Sequence, residues 1–216
     1  MTTDTKKTHY IEDEDTYILP KGRMNFVALA RKFKNKKSTR KDDEGQFVVS
    51  VIIPPTSDLK LVKDAAQKLG GEKFKNKKGK PIDILDVATR GTVKSPFLQA
   101  DEKLEGVTTN DGDEVDLEGW TMVRANTYTR RPIVRNAKGE VIDIDDLEVE
   151  AYSGRWARLM VKLKDYDQEG NKGVKFYIEG VQLLGHDDKI GSGGGGSTGE
   201  AFGAVDDDDD ADSALD

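Results

Sequence analysis

The sequence contains no cysteine, and this absence excludes disulfide bonds and thiolate metal sites. It has two histidines, His9 and His186, which are too few for a histidine-based metal site or a catalytic triad. No run of about 18 apolar residues occurs, so we expect no transmembrane helix, and residues 1–14 lack the apolar stretch of a secretory signal. A chain without cysteine fits a reducing compartment, and we predict a cytoplasmic protein.

The charge of the chain is divided unevenly along its length. The formal net charge is −7, yet residues 191–216 contain eight acidic residues and no basic residue. The rest of the chain has 34 basic and 33 acidic residues, because eight of the 41 acidic residues lie in this last segment. A nearly neutral body is compatible with a local basic groove but does not by itself indicate nucleic-acid binding.

Residues 151–184 predict two β-strands joined by a turn, because their side chains alternate in character. One face of the first strand is mostly small and aliphatic, as a core face should be: Ser153, Arg155, Ala157, Leu159, Val161 and Leu163. The other face mixes aromatic and cationic side chains: Tyr152, Gly154, Trp156, Arg158, Met160 and Lys162. In the returning strand, residues 174–180, Lys175 and Tyr177 alternate with apolar residues. Rings and cations on one exposed face indicate a surface that stacks bases and neutralises phosphates.

A strand predicted over residues 120–133 repeats this division into two faces. Its small face has Thr121, Val123, Ala125, Thr127 and Thr129. Its other face has Trp120, Met122, Arg124, Asn126, Tyr128 and Arg130. The arginines favour an exposed binding face, since burying an unpaired guanidinium is costly. The alternative is that both tryptophans anchor the core and the small face is wet.

The remaining patterns predict short elements joined by polar connectors. We predict strands over residues 23–33, 46–53 and 81–87, a helix over 59–69 that Gly70 and Gly71 end, a loop over 107–119, a hairpin over 133–142 and an acidic connector over 143–150. The chain divides into a flexible N-terminal arm (1–16), a folded domain (17–190), a glycine-rich linker (191–205) and an acidic tail (206–216). These elements indicate a mainly β fold, an antiparallel barrel with one or two helices and long basic loops.

Several short motifs resemble the core of a family of phage single-stranded DNA-binding proteins. They are Tyr152-Ser153-Gly154, Trp156-Ala157-Arg158, Gly170-Asn171-Lys172-Gly173-Val174, Val181-Gln182, Arg131-Pro132 and Ile52-Ile53-Pro54. The resemblance implies an OB-fold with an acidic C-terminal tail and a role in phage DNA replication and recombination, in the host cell cytoplasm. One departure is the end of the chain: tails of the short-tailed-phage type finish on an aromatic residue, whereas this chain finishes on Asp216 and places Phe202 before its acidic run.

The candidate binding residues follow from the strand faces and from two basic loops. The stacking candidates are Trp120, Tyr128, Tyr152, Trp156 and Tyr177. The candidates for phosphate contacts are Arg124, Arg130, Arg131, Arg158, Lys162 and Lys175 on strands, and Lys34, Lys36, Lys37, Arg40, Lys75 and Lys77 in loops. The tail residues expected to compete with DNA or to recruit replication and recombination proteins are Phe202, Asp206, Asp207, Asp208, Asp209, Asp210, Asp212 and Asp216.

Two rival functions remain open at this point. A metal-dependent nuclease would need some of the scattered carboxylates, although their spacing is not diagnostic: Asp83, Asp86, Asp111, Asp113 and Asp143. An adaptor protein would act through its acidic tail alone and would not touch DNA. We favour a non-enzymatic, single-stranded DNA-binding protein that needs no cofactor or metal and is a monomer or a homodimer.

Overall fold

The computed structural model describes residues 4–34, 44–104, 106–168 and 170–192. The strands are β1 (His9–Ile11), β2 (Thr16–Ile18), β3 (Gly22–Phe33), β4 (Gln46–Ile53), β5 (Phe97–Gln99), β6 (Val107–Thr109), β7 (Thr121–Thr127), β8 (Ile133–Arg135), β9 (Trp156–Gln168), β10 (Asn171–Leu183) and β11 (Ile190–Ser192). The helices are α1 (Lys60–Lys73), α2 (Ala100–Lys103) and α3 (Ile144–Glu150). Within the described ranges, no helix is long and apolar enough to cross a membrane.

Five strands close into a ring, in the order β3, β4, β7, β10, β9 and back to β3. All neighbours are antiparallel except β7 and β10, which run parallel. A five-stranded barrel of this kind, with the fifth strand inserted beside the third, is the OB-fold. The structure therefore confirms the predicted OB-like barrel.

The barrel core follows the predicted alternation along its strands. On β9, Ala157, Leu159 and Val161 are buried, and on β7 Val123 and Ala125 are buried. These side chains pack into one apolar cluster, to which α1 contributes from the side of the barrel. The small faces of β7 and β9 are therefore core faces, as predicted, because a sheet that closes on itself must bury its inner side chains.

The N-terminal segment differs from the flexible arm that we predicted over residues 1–16. β1 pairs with β2, and β2 extends the sheet beside β9. The rings of Tyr10 and Tyr17 lie 4.8 Å apart, and the backbone of Lys7 bridges to Asp58. The segment is highly charged, but it contains two short stretches with β-forming residues. They form strands because β2 pairs with the edge of β9 and β1 pairs with β2.

Helix α1 does not end at Gly70 and Gly71, so the predicted termination there is wrong. The helix continues to Lys73. Gly70 is buried against Ile84, and a Cβ at Gly70 would lie 2.6 Å from a methyl carbon of that side chain. The glycine therefore serves close packing inside the helix rather than its C-terminal cap.

Other connectors also contain more structure than the sequence predicted. The predicted loop over residues 107–119 begins with β6, which pairs with β11, and the acidic connector over 143–150 contains α3. No strand occurs in residues 81–87, where the structure has a bridge from Pro81 to Lys75 instead. The hairpin over residues 133–142 is confirmed, since the backbone N–H of Asn136 donates to Glu140 across its turn.

Candidate nucleic-acid interface

Three tyrosines surround one lysine on the outer surface of the barrel. The Nζ of Lys175 lies 4.7 Å from the ring centre of Tyr177, 5.4 Å from that of Tyr166 and 5.8 Å from that of Tyr128. We call these four residues the tyrosine cluster. Tyr128 is 47% exposed, and its ring is available to a ligand. The cluster therefore combines accessible π surfaces with a positive charge, the two features that hold a single strand.

Strand register explains why the tyrosine cluster is compact. Tyr177 on β10 is the register partner of Asn126 on β7 and of Lys162 on β9. Lys175 pairs with Lys164, whose Nζ lies 5.4 Å from the Tyr177 ring. Side chains at paired positions share a face of a sheet. Three strands therefore supply one continuous outer patch.

The patch continues across β7 and β4 to β3. Arg124 pairs with Ser50, which in turn pairs with Phe26. The Arg124 guanidinium carbon lies 5.7 Å from the Phe26 ring centre, and Phe33 packs edge-on against Phe26 at 5.1 Å. Arg124 is exposed. This row crosses the second and third strands of the barrel, the face with which OB-folds bind oligonucleotides.

The two tryptophans form a second aromatic region, the tryptophan pair. The ring centres of Trp120 and Trp156 lie 6.5 Å apart with their planes at 37°. Both side chains are half-buried, and Trp120 packs on an apolar cluster of the outer surface that includes Ile52 and Met122. The indole N–H of Trp156 donates to Asp187 at 2.8 Å. The tryptophans are therefore neither sealed in the barrel core nor fully open.

Residues from β6 and β11 complete the apolar cluster on which Trp120 packs. Val107 and Ile190 are buried in the same outer cluster as Ile52 and Met122. Tyr152 lies nearby in a polar setting: its ring stacks on His186 at 6.0 Å, and its hydroxyl contacts the His186 ring and the Asp187 carbonyl, each at 3.1 Å. Lys189 stands 5.6 Å from the Tyr152 ring. Tyr152 therefore has partners of its own within the fold.

Arg158 does not lie on the surface, which differs from the exposed phosphate contact that the alternation predicts. It is 3% exposed, and its Nε donates to the Leu19 carbonyl at 3.1 Å. Burial lowers the pKa of its guanidinium, an effect that the charge of Asp4 opposes. Arg158 is buried beside Leu19, which directly follows β2, and we did not predict that β2 pairs with β9. A DNA phosphate could reach Arg158 only if the residues that bury it moved.

The other candidate cations differ in exposure and in their partners: Arg124, Arg130 and Arg131 are exposed, whereas Lys162 and Lys175 are half-buried. Arg130 and Lys162 both approach Glu179, at 2.5 and 3.9 Å. Arg131 donates to the Ala30 carbonyl at 2.8 Å and lies 5.4 Å from the Phe47 ring centre. A phosphate would therefore compete with an existing acidic partner at Arg130 and Lys162 but not at Lys175 or Arg124, for which the described residues give no ion pair.

The two basic loops flank this surface to different degrees. Lys34 is exposed at the end of β3, where the loop to β4 begins. Lys75 and Lys77 are exposed in the turn after α1, next to Phe74, whose ring lies 5.9 Å from Lys172 on β10. Three cations of the first loop and the tail candidates lie outside the described residues: Lys36, Lys37, Arg40, Phe202, Asp206, Asp207, Asp208, Asp209, Asp210, Asp212 and Asp216.

Three members of the patch are not among the residues predicted from the sequence: Phe26, Lys164 and Tyr166. Lys164 and Tyr166 continue the alternation of β9 beyond Leu163. Extending the same two-residue period by four residues would have predicted both of them. Phe26 follows a shift in register between Met24 and Phe26, which breaks the alternation of β3. No sequence signal identifies Phe26, because a bulge changes the face of every later residue.

The carboxylates considered for a nuclease do not form a metal-binding cluster among the described residues. In the described part of the chain, no group of three or more acidic, histidine or cysteine side chains could hold a metal ion. Asp86 instead accepts the backbone N–H of Ala88 at 2.9 Å, and Asp83 accepts that of Leu85 at 3.0 Å. These two aspartates therefore stabilise local turns.

Comparison with solved structures shows similar folds. The single-stranded DNA-binding protein from bacteriophage Enc34, in a C-terminally truncated form, aligns with a TM-score of 0.62 at 14% identity over 87% of this chain and 95% of that one. The same phage protein in complex with single-stranded DNA aligns with a TM-score of 0.59 at 14% identity, over 87% and 94% of the two chains. At this identity the likeness establishes the fold. No curated protein matches the chain in sequence.

The family comparison covers nearly the whole chain. A family model described as Enterobacter phage Enc34, ssDNA-binding protein, matches residues 16–212. This span includes the barrel, the tyrosine cluster and most of the acidic tail. The chain therefore belongs to the Enc34 family of phage single-stranded DNA-binding proteins.

Proposed function

We propose that this protein binds and protects single-stranded DNA, without sequence preference, during phage DNA replication and recombination. The observation that carries the proposal is the tyrosine cluster beside the Arg124–Phe26 row, on the outer face that OB-folds use for oligonucleotides. A ring can stack on any base, and each stacked base contributes about 1–3 kcal/mol. The Enc34 protein, which shares the fold, has been solved with single-stranded DNA.

The strand path that we propose crosses the cations of the patch. Bases stack on Tyr128 and Tyr177, while phosphates meet Lys175, Lys164 and Arg124. Lys34 at the end of β3 and the lysines in the turn after α1 supply further positive charge. Neither set of contacts reads base edges, so affinity should depend little on sequence.

A titration of the full chain tests this function. We expect an unstructured oligothymidylate to bind more tightly than a duplex of the same length, as followed by fluorescence anisotropy. The logarithm of the binding constant should fall with the logarithm of salt concentration, with a slope of about −0.7 for each phosphate neutralised. Equal affinity for the duplex, or cleavage of the oligonucleotide in the presence of Mg²⁺, would contradict the proposal.

We further propose that the acidic tail modulates access of DNA to this surface and recruits replication or recombination proteins. A linker of about 15 residues has a root-mean-square reach of about 20 Å, enough for the tail to return to its own domain. Deleting residues 206–216 should tighten single-strand binding, most clearly at low salt, because exposed charges are screened at high salt. Unchanged or weaker binding would argue against this competition.

A further inference from the structure

A groove crosses the outer surface of β2, β9, β10 and β8, beside the tyrosine cluster. Its volume is about 570 Å³. Ile18, Met160 and Ile133 supply apolar walls, and Ile133 is 53% exposed. Large aliphatic side chains that are open to water on a concave surface commonly mark a place where another molecule binds. None of the residues in the proposed strand path lines this groove: Tyr128, Tyr177, Lys175, Lys164 and Arg124.

Two buried polar side chains line the same groove. Arg158 is 3% exposed and Thr16 is 1% exposed. One terminal nitrogen of Arg158, Nη2, and the hydroxyl oxygen of Thr16 have no hydrogen-bond partner among the described residues. Buried polar atoms nearly always have a partner. An oxygen-bearing group that entered the groove and displaced its lining slightly would accept a hydrogen bond from Arg158.

The charges along the two sides of the groove decide which kind of ligand fits. Asp13 and Glu14 form an acidic side, and Arg130 and Arg135 form a basic side. Lys162 also lines the groove, and both it and Arg130 approach Glu179, so among the described residues Arg135 and Arg158 are the lining cations without an acidic partner. A continuous polyanion such as DNA would lie against the acidic side. A polypeptide segment can carry apolar side chains for the walls and a single carboxylate for the basic side, while it keeps other charges away from the acidic side.

We propose that this groove docks a segment of a partner protein in which an apolar side chain stands next to a carboxylate. The apolar side chain covers Ile133 and Met160. The carboxylate faces Arg135, and its entry supplies the missing partner of Arg158. The groove thus gives the protein a contact for a second protein that is separate from the stacked DNA strand and from its own acidic tail.

Selection from a random peptide display library tests the proposal on the full-length protein, with excess oligothymidylate present to occupy the DNA surface. We expect enriched peptides that pair an aromatic or aliphatic residue with an adjacent Asp or Glu. A synthetic peptide of the enriched sequence should lose about tenfold or more in affinity when its acid is replaced by the amide. Failure to enrich such peptides would overturn the proposal.

Variants of exposed residues locate the site without disturbing the core. Arg135→Glu and Ile133→Asp should each weaken binding of the synthetic peptide about tenfold or more and leave oligothymidylate binding unchanged. Lys138→Glu is the matched control, since Lys138 is exposed on the same hairpin and is not part of the groove lining. It should leave peptide binding unchanged. Equal effects of Arg135→Glu and Lys138→Glu would contradict the assigned site.

Two other occupants are distinguished by the same assay. If oligothymidylate displaces the peptide, or if Arg135→Glu weakens DNA binding more than Lys138→Glu does, the groove belongs to the DNA site and the proposal fails while the DNA-binding function stands. If deleting residues 200–216 strengthens peptide binding tenfold, the groove holds this chain's own tail, and a partner protein is not its ligand.

Discussion

The tyrosine cluster and the tryptophan pair are both aromatic regions on the outer surface of the barrel, but they differ in what covers them. Tyr128 is 47% exposed, and the ammonium of Lys175 lies 5.8 Å from its ring centre. Trp120 instead packs on an apolar cluster with Ile52 and Met122, and Trp156 is tied to Asp187. The same alternation produces both regions, so ring position alone does not define a binding surface. Cover by segments distant in sequence decides which rings remain available.

Replacing two tyrosines of the open region should have the largest effect on DNA binding. Tyr128→Ala combined with Tyr177→Ala removes two stacking surfaces, at about 1–3 kcal/mol each, and should weaken oligothymidylate binding at least about 30-fold. Fluorescence anisotropy of the full chain measures the loss. Tyr10→Ala is the matched control, because Tyr10 is 44% exposed and lies on β1, which is not one of the five barrel strands. An equal loss of affinity in Tyr10→Ala would show that the effect is not specific to the tyrosine cluster.

Replacing a tryptophan of the covered region should affect stability more than binding. Trp156→Ala removes a half-buried ring that contacts Trp120 and the hydrogen bond to Asp187, and should lower the free energy of unfolding by about 2–3 kcal/mol. Urea unfolding measures the change. DNA affinity of the folded variant should change far less than in the tyrosine double variant. A stable variant that no longer binds DNA would show that the tryptophans form the binding surface.

A glycine beside the tryptophan pair tests how tightly that end is closed. Gly154 has φ +110°, and a Cβ there would lie 2.0 Å from the Asp188 carbonyl oxygen. Gly154→Ala should therefore cost about 2 kcal/mol of stability or more. Gly139→Ala is the control, because Gly139 has φ +87° with no atom within 4 Å of the added carbon. Equal costs for both variants in thermal unfolding would mean that the close approach is unimportant.

The smallest effect concerns alkaline pH in the tyrosine cluster. Burial raises the pKa of Tyr166 above its usual value near 10. Because the unfolded chain then loses this proton first, the contribution of Tyr166 to stability is complete below pH 10 and is lost as pH rises through the folded-state pKa. Tyr166→Phe should make the decline in stability above pH 10 shallower, as measured by urea unfolding at several pH values. An identical decline in the variant would show that Tyr166 is not buried in this way.

The sequence predicts the barrel because local alternation reports which face of each strand is buried. Val123, Ala125, Leu159 and Val161 are core residues for this reason. Alternation also places Arg124, Tyr128, Lys175 and Tyr177 on the outer face, where the structure has them.

What the sequence could not predict depends on contacts between distant segments. Arg158 is buried beside Leu19, which lies 139 residues away in sequence, and β11 pairs with β6 beside Trp120. The bulge in β3 that turns Phe26 outward leaves no mark in the local pattern. These features arise from contacts between segments that are distant in sequence. The alternation of residues within one strand carries no information about such contacts.

Photochemical cross-linking tests whether DNA lies on the tyrosine cluster, because it identifies the side chains that touch DNA. Oligothymidylate containing 5-bromodeoxyuridine would be irradiated in complex with the full-length protein, and the adducts located by mass spectrometry. We predict adducts on Tyr128, Tyr166 or Tyr177. Adducts confined to Trp120 and Trp156, with the three tyrosines unmodified, would show that DNA binds at the tryptophan pair and not at the tyrosine cluster.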